Sequence, residues 1–525
     1  MSGVQTIHRE IQIENALRAH PGVRAAAVVR DCSNTVRAFV VPSDEYMDDI
    51  LGRTNAGSTV VGKWRKAYDL SQLTKEAASA PAGFNTIGWN SSYTRQPIPC
   101  EEIREWVEAT AADILRLAPK KVYEVGCGTG MLLMRIAPHC DRYVAADFSP
   151  AVLARLNEQL TTTPALAERV QVMERRADNF NGLDQDSFDT VVLSSVVQYF
   201  PNSAYLTRVL ENAVNVVRPG GHVYVGDIRS LPLLPAFASS VELFQATDAM
   251  STEELRDRVR RRLQREQELV LSPAFFLALQ RRFPKISGVE IRPLRGHARN
   301  EMLRYRFQAI LHVGCNRGTS SVVEFLDWTE CRWSPDEIRA RLQQYPNETI
   351  GLKRIRNVRI EKDLEALTRI DATDTTFTAG ELRRDLGGNI ETGIDPQALF
   401  DLEAEVSGLA VFLSWAACRP DGTYDALFVP AQSLPEAPSP VVCWPQPEGS
   451  DFVRVANAPG QSKTRSDLIN QLVTHCVENH LEEMSSVNIV LVDALARTLD
   501  GDVDALALLA ARSASIGPNK LVFSK

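Results

Sequence analysis

The chain has 525 residues, 44% of them hydrophobic and 24% charged, which is the balance of a folded chain long enough for several cores. Its net charge of −8 argues against a large basic surface for nucleic acid. Nine cysteines stand singly with no Cys-x-x-Cys pair, so neither a disulfide framework nor a zinc site is expected, and no apolar run is long enough to cross a membrane. A reducing cytoplasm is the natural setting, and the N-terminus shows no apolar signal core.

In chain order, Glu10 to Ala19 reads as a helix ended by His20-Pro21-Gly22, and two apolar runs, Ala25 to Val29 and Val36 to Val41, read as strands. A small-residue stretch around Ala77 to Gly83 suggests a first linker. From Glu101 to Leu117 apolar residues recur at helical spacing, ending near Pro119. Strands and helices then alternate. Lys121 to Val125, Arg142 to Ala146, Val170 to Glu174, Asp189 to Ser194 and Val223 to Val225 read as strands. Met131 to Ala137, a helix opened by Ser149-Pro150, and Tyr205 to Val217 read as helices. This rhythm predicts an α/β, doubly wound, mostly parallel sheet. A charged helical region follows from Pro235 to Phe283, then strands at Gly288 to Leu294 and Met302 to His312. Pro430 opens a stretch with six prolines that reads as a second linker. Beyond it, Asp467 to Leu481 predicts a helix and Val487 to Val492 a strand.

The chemistry-bearing phrase is Val122-Tyr123-Glu124-Val125-Gly126-Cys127-Gly128-Thr129-Gly130, a strand running into a glycine turn that opens a helix. Three glycines let the backbone approach a ligand without Cβ clashes. Glu124 stands two residues before Gly126, and Asp147 ends the next strand, where a carboxylate can accept from ribose hydroxyls. Asp178 and Asn179 follow the third strand, within reach of a base amino group. No lysine follows the glycines, so the turn is no triphosphate loop, and a dinucleotide site would instead space them Gly-x-Gly-x-x-Gly.

This set resembles the class I methyltransferases, with a seven-stranded sheet, helical insertions and S-adenosyl-L-methionine as cofactor. Longer phrases narrow the resemblance: Gly88-Trp89-Asn90-Ser91-Ser92-Tyr93-Thr94, Val196-Val197-Gln198-Tyr199-Phe200-Pro201, Val225-Gly226-Asp227-Ile228-Arg229-Ser230-Leu231, Arg299-Asn300-Glu301, and Ser414-Trp415 with Gly422-Thr423-Tyr424-Asp425. Together they look like the N-methyltransferase domains embedded in nonribosomal peptide synthetases, over roughly residues 84–429, with a core at 84–315 and an extension at 316–429. The flanks, 1–75 and 451–525 beyond a linker at 430–450, resemble two halves of an adenylation-type C-terminal subdomain, a small α+β unit built from both chain ends. Asp502 stands where that family carries a lysine, and the large adenylation core is absent, so no adenylation activity is expected.

The resemblance implies a methyltransferase acting on the α-amine of an aminoacyl or peptidyl thioester held by phosphopantetheine on a separate carrier protein, alongside other synthetase subunits. For the acceptor, Asp227, Glu301, Asn300, Tyr199 and Gln198 are the candidates. Tyr93, Glu124, Gly126, Cys127, Gly128, Gly130, Asp147, Phe148, Asp178, Asn179, Ser194, Ser195 and Val196 are the candidates for the cofactor. Asp227 equally suits a helix cap, and Glu301 a partner for Arg299 or Arg304. Cys127 reads as a small filler, and His139, His222 and His297 lack metal spacing. Rival readings are an O- or C-methyltransferase on a free small molecule, or a non-catalytic assembly module. The fourth strand ends Leu193-Ser194-Ser195 and lacks the Asn/Asp-Pro-Pro-aromatic phrase of base-modifying enzymes.

Overall fold

In the computed structural model of the protein, seven strands form one sheet: β1 (Lys121–Val125), β2 (Arg142–Asp147), β3 (Val170–Glu174), β4 (Phe188–Ser194), β5 (Val217–Arg229), β6 (Ile286–Pro293) and β7 (Arg306–Val313). The structure describes 3–31, 35–43, 83–314, 323–372, 377–388, 392–433 and 461–478 continuously, most of 61–70, and short pieces near 46, 81, 444, 456, 490, 496 and 504. The strand order is β3-β2-β1-β4-β5-β7-β6. The first five strands are parallel, and β7 is antiparallel to both β5 and β6. This is the class I methyltransferase arrangement that the β-α rhythm and the glycine phrase pointed to. Alternation along β1 shows why it is buried on both faces. Tyr123 and Val125 pack into a layer with Leu206 and Val209 of the helix Ser203–Val216, while Val122 packs opposite, with Ile103 and Trp106 of the helix Cys100–Leu115. The order in which the chain adds strands reverses between the parallel neighbours β1 and β4, and that switch point opens a crevice at the carboxyl ends of the strands.

Two elements depart from the sequence reading. Met302 to His312 is not one strand: Glu301–Tyr305 is a helix, and β7 begins only at Arg306. Asn300 caps that helix, its Oδ1 accepting from the amides of Met302 and Leu303 at 3.1 and 3.2 Å. Also, β5 is far longer than Val223 to Val225, running through the Pro219-Gly220-Gly221 turn expected to precede it. Gly221 lies so close to β4 that a Cβ would stand 2.4 Å from the Asp189 carbonyl oxygen. The charged region after β5 resolves into three helices, Leu234–Gln245, Thr252–Gln264 and Pro273–Arg282. Its arginines are largely spent internally: Arg258 and Arg262 both pair with Glu242, at 2.8 and 2.7 Å.

A second sheet, β8 (Phe325–Asp327), β9 (Ile350–Ile355), β10 (Leu409–Ser414) and β11 (Tyr424–Pro430), is ordered β8-β9-β11-β10. Leu352, Tyr424 and Phe428 from it share one apolar cluster with the seven-stranded sheet. Residues 60–459 form one compact unit, so the division falls at 59/60 and 459/460 and not at the two expected linkers. The small-residue stretch and most of the proline-rich stretch lie outside the described residues.

The other unit joins 1–59 to 460–525. Val36–Pro42 is the middle of three strands, antiparallel to Val23–Arg30 and parallel to Asn488–Leu491. Leu17, Ala38, Val40, Leu468, Leu472 and Cys476 form its core, so each chain end supplies half of one small α+β unit.

Candidate functional site: a cavity at the strand ends

The turn after β1 is held by backbone pairing, the amides of Gly126 and Cys127 both donating to the Ala146 carbonyl of β2 at 2.8 and 3.0 Å. Gly126, Gly128 and Gly130 all have left-handed φ, +75°, +49° and +81°. The space beside them is as restrictive as the torsions: a Cβ on Gly126 would stand 2.7 Å from Val196, and one on Gly130 2.7 Å from Leu156. Bare backbone therefore borders a cavity of ≈ 710 Å³ at the switch point.

Asp147 ends β2, buried on the cavity wall. Its Oδ2 accepts from the Gly128 amide and its Oδ1 from the Ser149 amide, both at 3.0 Å. These bonds fix the carboxylate, yet each oxygen keeps a second lone pair for a ligand hydroxyl. Burial raises its pKa, and the amides of Ser149, Gly128 and Phe148 oppose that rise. Glu124 is buried one strand away and accepts from the Tyr143 hydroxyl at 2.8 Å. Burial pushes its carboxyl up to about 7, with the Tyr143 bond opposing and Asp147 adding. Cys127 is buried, and burial with the nearby Asp147 and Glu124 holds its thiol well above the ordinary range, which suits a filler and not a nucleophile.

Across the cavity, two residues have left-handed φ, Ser195 at +55° just after β4 and Asp227 at +61° two residues before the end of β5. Ser195 Oγ donates to Asp227 Oδ2 at 2.5 Å, and Arg306 at the start of β7 donates to the same oxygen at 2.6 Å. Asp227 Oδ1 is left without a partner, as are Gln198 Oε1 and Ser194 Oγ, all three buried in residues that line the cavity. Non-glycine residues held at positive φ and unsatisfied buried oxygens gather here at one strand end, the pattern of a preorganised ligand site.

Of the expected residues, Glu124, Gly126, Cys127, Gly128, Asp147, Phe148, Ser194, Ser195, Val196, Gln198, Tyr199, Asp227 and Glu301 meet around this one cavity. Gly130 shapes the turn behind it. Asp178 and Asn179 do not line it: Asp178 pairs with Arg176 at 3.1 Å, and Asn179 accepts from the Asn181 amide. Asn300 and Tyr93 face a second cavity of ≈ 640 Å³ that shares Ile98 and Glu301 with the first. Asn300 is committed as a cap and to Glu102, and the Tyr93 hydroxyl bonds Ser240 at 2.7 Å. Glu301 pairs with neither arginine; it accepts from the Ser92 amide and hydroxyl at 2.8 and 2.7 Å, tying the 88–94 loop to the cavity wall.

The sequence reading missed Trp64 and Tyr68, which also line the cavity. The Trp64 ring lies 4.8 Å from that of Tyr199, and Asp69 accepts from Ser149 Oγ. Their i, i+4 spacing puts both rings on one helical face, a signal that was available but stood beyond the expected domain boundary. Arg229, Tyr305 and Arg306 were missed as well.

Residues 123–223 match the family model for a methyltransferase domain. The glycine cradle and the Asp147 carboxylate fit S-adenosylmethionine, the first at its amino-acid end and the second at its ribose. The chain thus contains an S-adenosylmethionine-dependent methyltransferase domain of the class I fold. More particularly, its relatives are peptide synthetases. It is 36% identical over 519 residues to chondramide synthase cmdD of Chondromyces crocatus, covering 95% of this chain and 13% of that one. It is 30% identical over 441 residues to cyclosporin synthetase simA of Tolypocladium inflatum, covering 79% and 3%. It is 30% identical over 358 residues to the bassianolide nonribosomal cyclodepsipeptide synthetase of Beauveria bassiana, covering 66% and 11%. The chain therefore spans about an eighth or less of these curated relatives. Among solved structures, the N-methyltransferase NodS from Bradyrhizobium japonicum WM9 with S-adenosyl-l-homocysteine aligns over 43% of this chain and 99% of its own, at 16% identity; its TM-score of 0.27 carries no argument.

Proposed function

We propose that this chain N-methylates the α-amine of an aminoacyl or peptidyl thioester carried on the phosphopantetheine of a carrier protein, within a nonribosomal peptide assembly. The observation that carries this reading is the trio of unpartnered oxygens, Asp227 Oδ1, Gln198 Oε1 and Ser194 Oγ, around the end of β4 and β5. An amine supplies the N–H donors that carboxylate and amide oxygens lack, whereas an ether-forming hydroxyl or a carbon acceptor supplies one or none. Bound cofactor supplies an electrophilic methyl group. Asp227, fixed by Ser195 and Arg306, holds an N–H and orients the amine, and its Oδ1 takes the proton that the methylated amine gives up. A free α-amine has a pKa of roughly 8, so modest help suffices at neutral pH. Similarity to the synthetases supports a carrier-bound acceptor and other synthetase subunits as partners.

The unit built from both chain ends we read as an adenylation-type subdomain without adenylation activity of its own, since Asp502 would repel an adenylate phosphate. Incubation of labelled S-adenosylmethionine with loaded carrier protein, and separately with free amino acids, tests the proposal. Label on the carrier, released as an N-methylamino acid, is the expected result; label confined to free acceptors, or found on oxygen or carbon, overturns it.

A further inference from the structure

Charge is distributed unevenly around the cavity. Asp147 and Glu124 lie at the ends of β2 and β1, while β5 stands three positions from β2 in the sheet, roughly 14 Å at ordinary strand spacing. Strands β5 and β7 are adjacent and antiparallel, so residues after β5 and before β7 share one edge of the sheet. There the wall is Leu234, Phe237, Met302 and Tyr305, with the Phe237 and Tyr305 rings 5.1 Å apart. The Tyr305 hydroxyl is turned away to Asp363 at 2.6 Å, leaving its ring face to the cluster.

Among the described residues on this side, every arginine except the exposed Arg265 is committed to a carboxylate, while Glu301 meets only neutral donors. Arg306 holds Asp227. Arg229 holds Glu266 and Glu268, at 2.8 and 2.7 Å. Arg262 holds Glu242, and Glu301 holds Ser92. An anionic acceptor side chain meets no uncommitted buried cation there, and a charged group of either sign laid against Leu234, Phe237, Met302 and Tyr305 loses its hydration with no ionic partner in that wall, which is strongly unfavourable.

We infer that this wall selects an acceptor with an apolar or aromatic side chain, and that Leu234 is a specificity-determining residue. The inference rests on the proposed function, because it takes the amine to sit at Asp227, directly beside this wall. Leu234 is only half-buried and is the first residue of its helix, where an aspartate is compatible with the helix dipole. Leu234→Asp therefore changes the wall while leaving the fold to be checked by S-adenosylhomocysteine binding.

The test is a series of carriers loaded with leucine, phenylalanine, serine, glutamate and lysine. For the unsubstituted chain, kcat/KM for leucine and phenylalanine should exceed that for serine, glutamate and lysine by about tenfold or more. Leu234→Asp, with S-adenosylhomocysteine binding retained, should lower the rate on leucine and raise that on lysine. Comparable rates for charged and apolar acceptors, or an unchanged profile in Leu234→Asp, overturn the inference while leaving the N-methylation reading intact. If label reaches only free amino acids, the carrier reading falls, and the same side chains offered free still read the wall. If Leu234→Asp loses cofactor binding, Leu234→Asn with the same series replaces it, the loss of leucine preference being the expected result.

Discussion

Asp147 and Asp227 are both buried carboxylates at strand ends, and their existing hydrogen bonds separate their work. Asp147 accepts only from backbone amides, so it is rigid and keeps a lone pair on each oxygen for hydroxyls. Asp147→Ala should weaken S-adenosylhomocysteine binding by about a hundredfold or more, the worth of two hydrogen bonds to a charged group, as calorimetry would show. Asp227 is held by a serine and an arginine on one oxygen alone. Asp227→Asn tolerates the left-handed backbone and should leave cofactor binding unchanged while lowering kcat by about a hundredfold or more. An equal loss in cofactor affinity would place Asp227 at the cofactor instead. Glu124 makes a third case. Its folded pKa of about 7 lies above the ordinary 4.5, so the protonated form is the one the fold prefers. Its contribution is complete below the unfolded value and is lost as pH rises through 7, a decline of roughly 3 kcal/mol. Glu124→Gln keeps an uncharged acceptor for the Tyr143 hydroxyl. Without cofactor, urea unfolding of this variant should lose that decline between pH about 5 and about 8. Parallel pH slopes for the two proteins would rule the account out.

At the level of elements, the parallel half of the sheet was legible in the sequence because its strands are short apolar runs stopped by turn signals, and β2 and β4 lead into helices with side-chain caps at Ser149 and Asn202. Ser149-Pro150 is the clearest instance: Ser149 Oγ accepts from Val152 N and Pro150 takes the first helical position. Less legible was the stretch 301–313, where the apolar residues Met302, Leu303 and Tyr305 serve a short capped helix before β7. An apolar run of that length fits either element, and only the cap decides. The helical stretch within 61–70 was invisible as part of the site for another reason. Its role depends on folding back over a turn about sixty residues later, a long-range contact that local spacing does not encode. There Tyr68 Oη stands where a Cβ on Gly128 would come within 3.0 Å of it, and Trp64 packs on Tyr199. These contacts close one side of the cavity. Trp64→Ala should therefore raise the Kd for S-adenosylhomocysteine by about tenfold, the worth of losing one aromatic wall, with little change in the unfolding midpoint. Fluorescence titration would check it, and an unaltered Kd would show that the stretch does not cover the cofactor.

For the whole molecule, the consequence of the chain path is that the small unit closes only when segments more than 400 residues apart meet. Val36–Pro42 pairs with Asn488–Leu491, and Leu17 packs with Leu472. The cavity, by contrast, draws its lining among the described residues from 61–306. Stability of the small unit and cofactor binding should then be separable. Ala38 is fully buried on the middle strand of the small unit. Ala38→Asp places an unpaired carboxylate in that core, a change of several kcal/mol in a three-stranded sheet with little core to spare. Calorimetric melting of this variant should lose the transition of the small unit and keep that of the larger one. Its Kd for S-adenosylhomocysteine should stay within about twofold of the parent, since no lining residue is touched. Loss of cofactor binding together with the small unit would mean that the larger unit needs the smaller one to fold, and that the distribution of the lining residues does not decide what the site depends on.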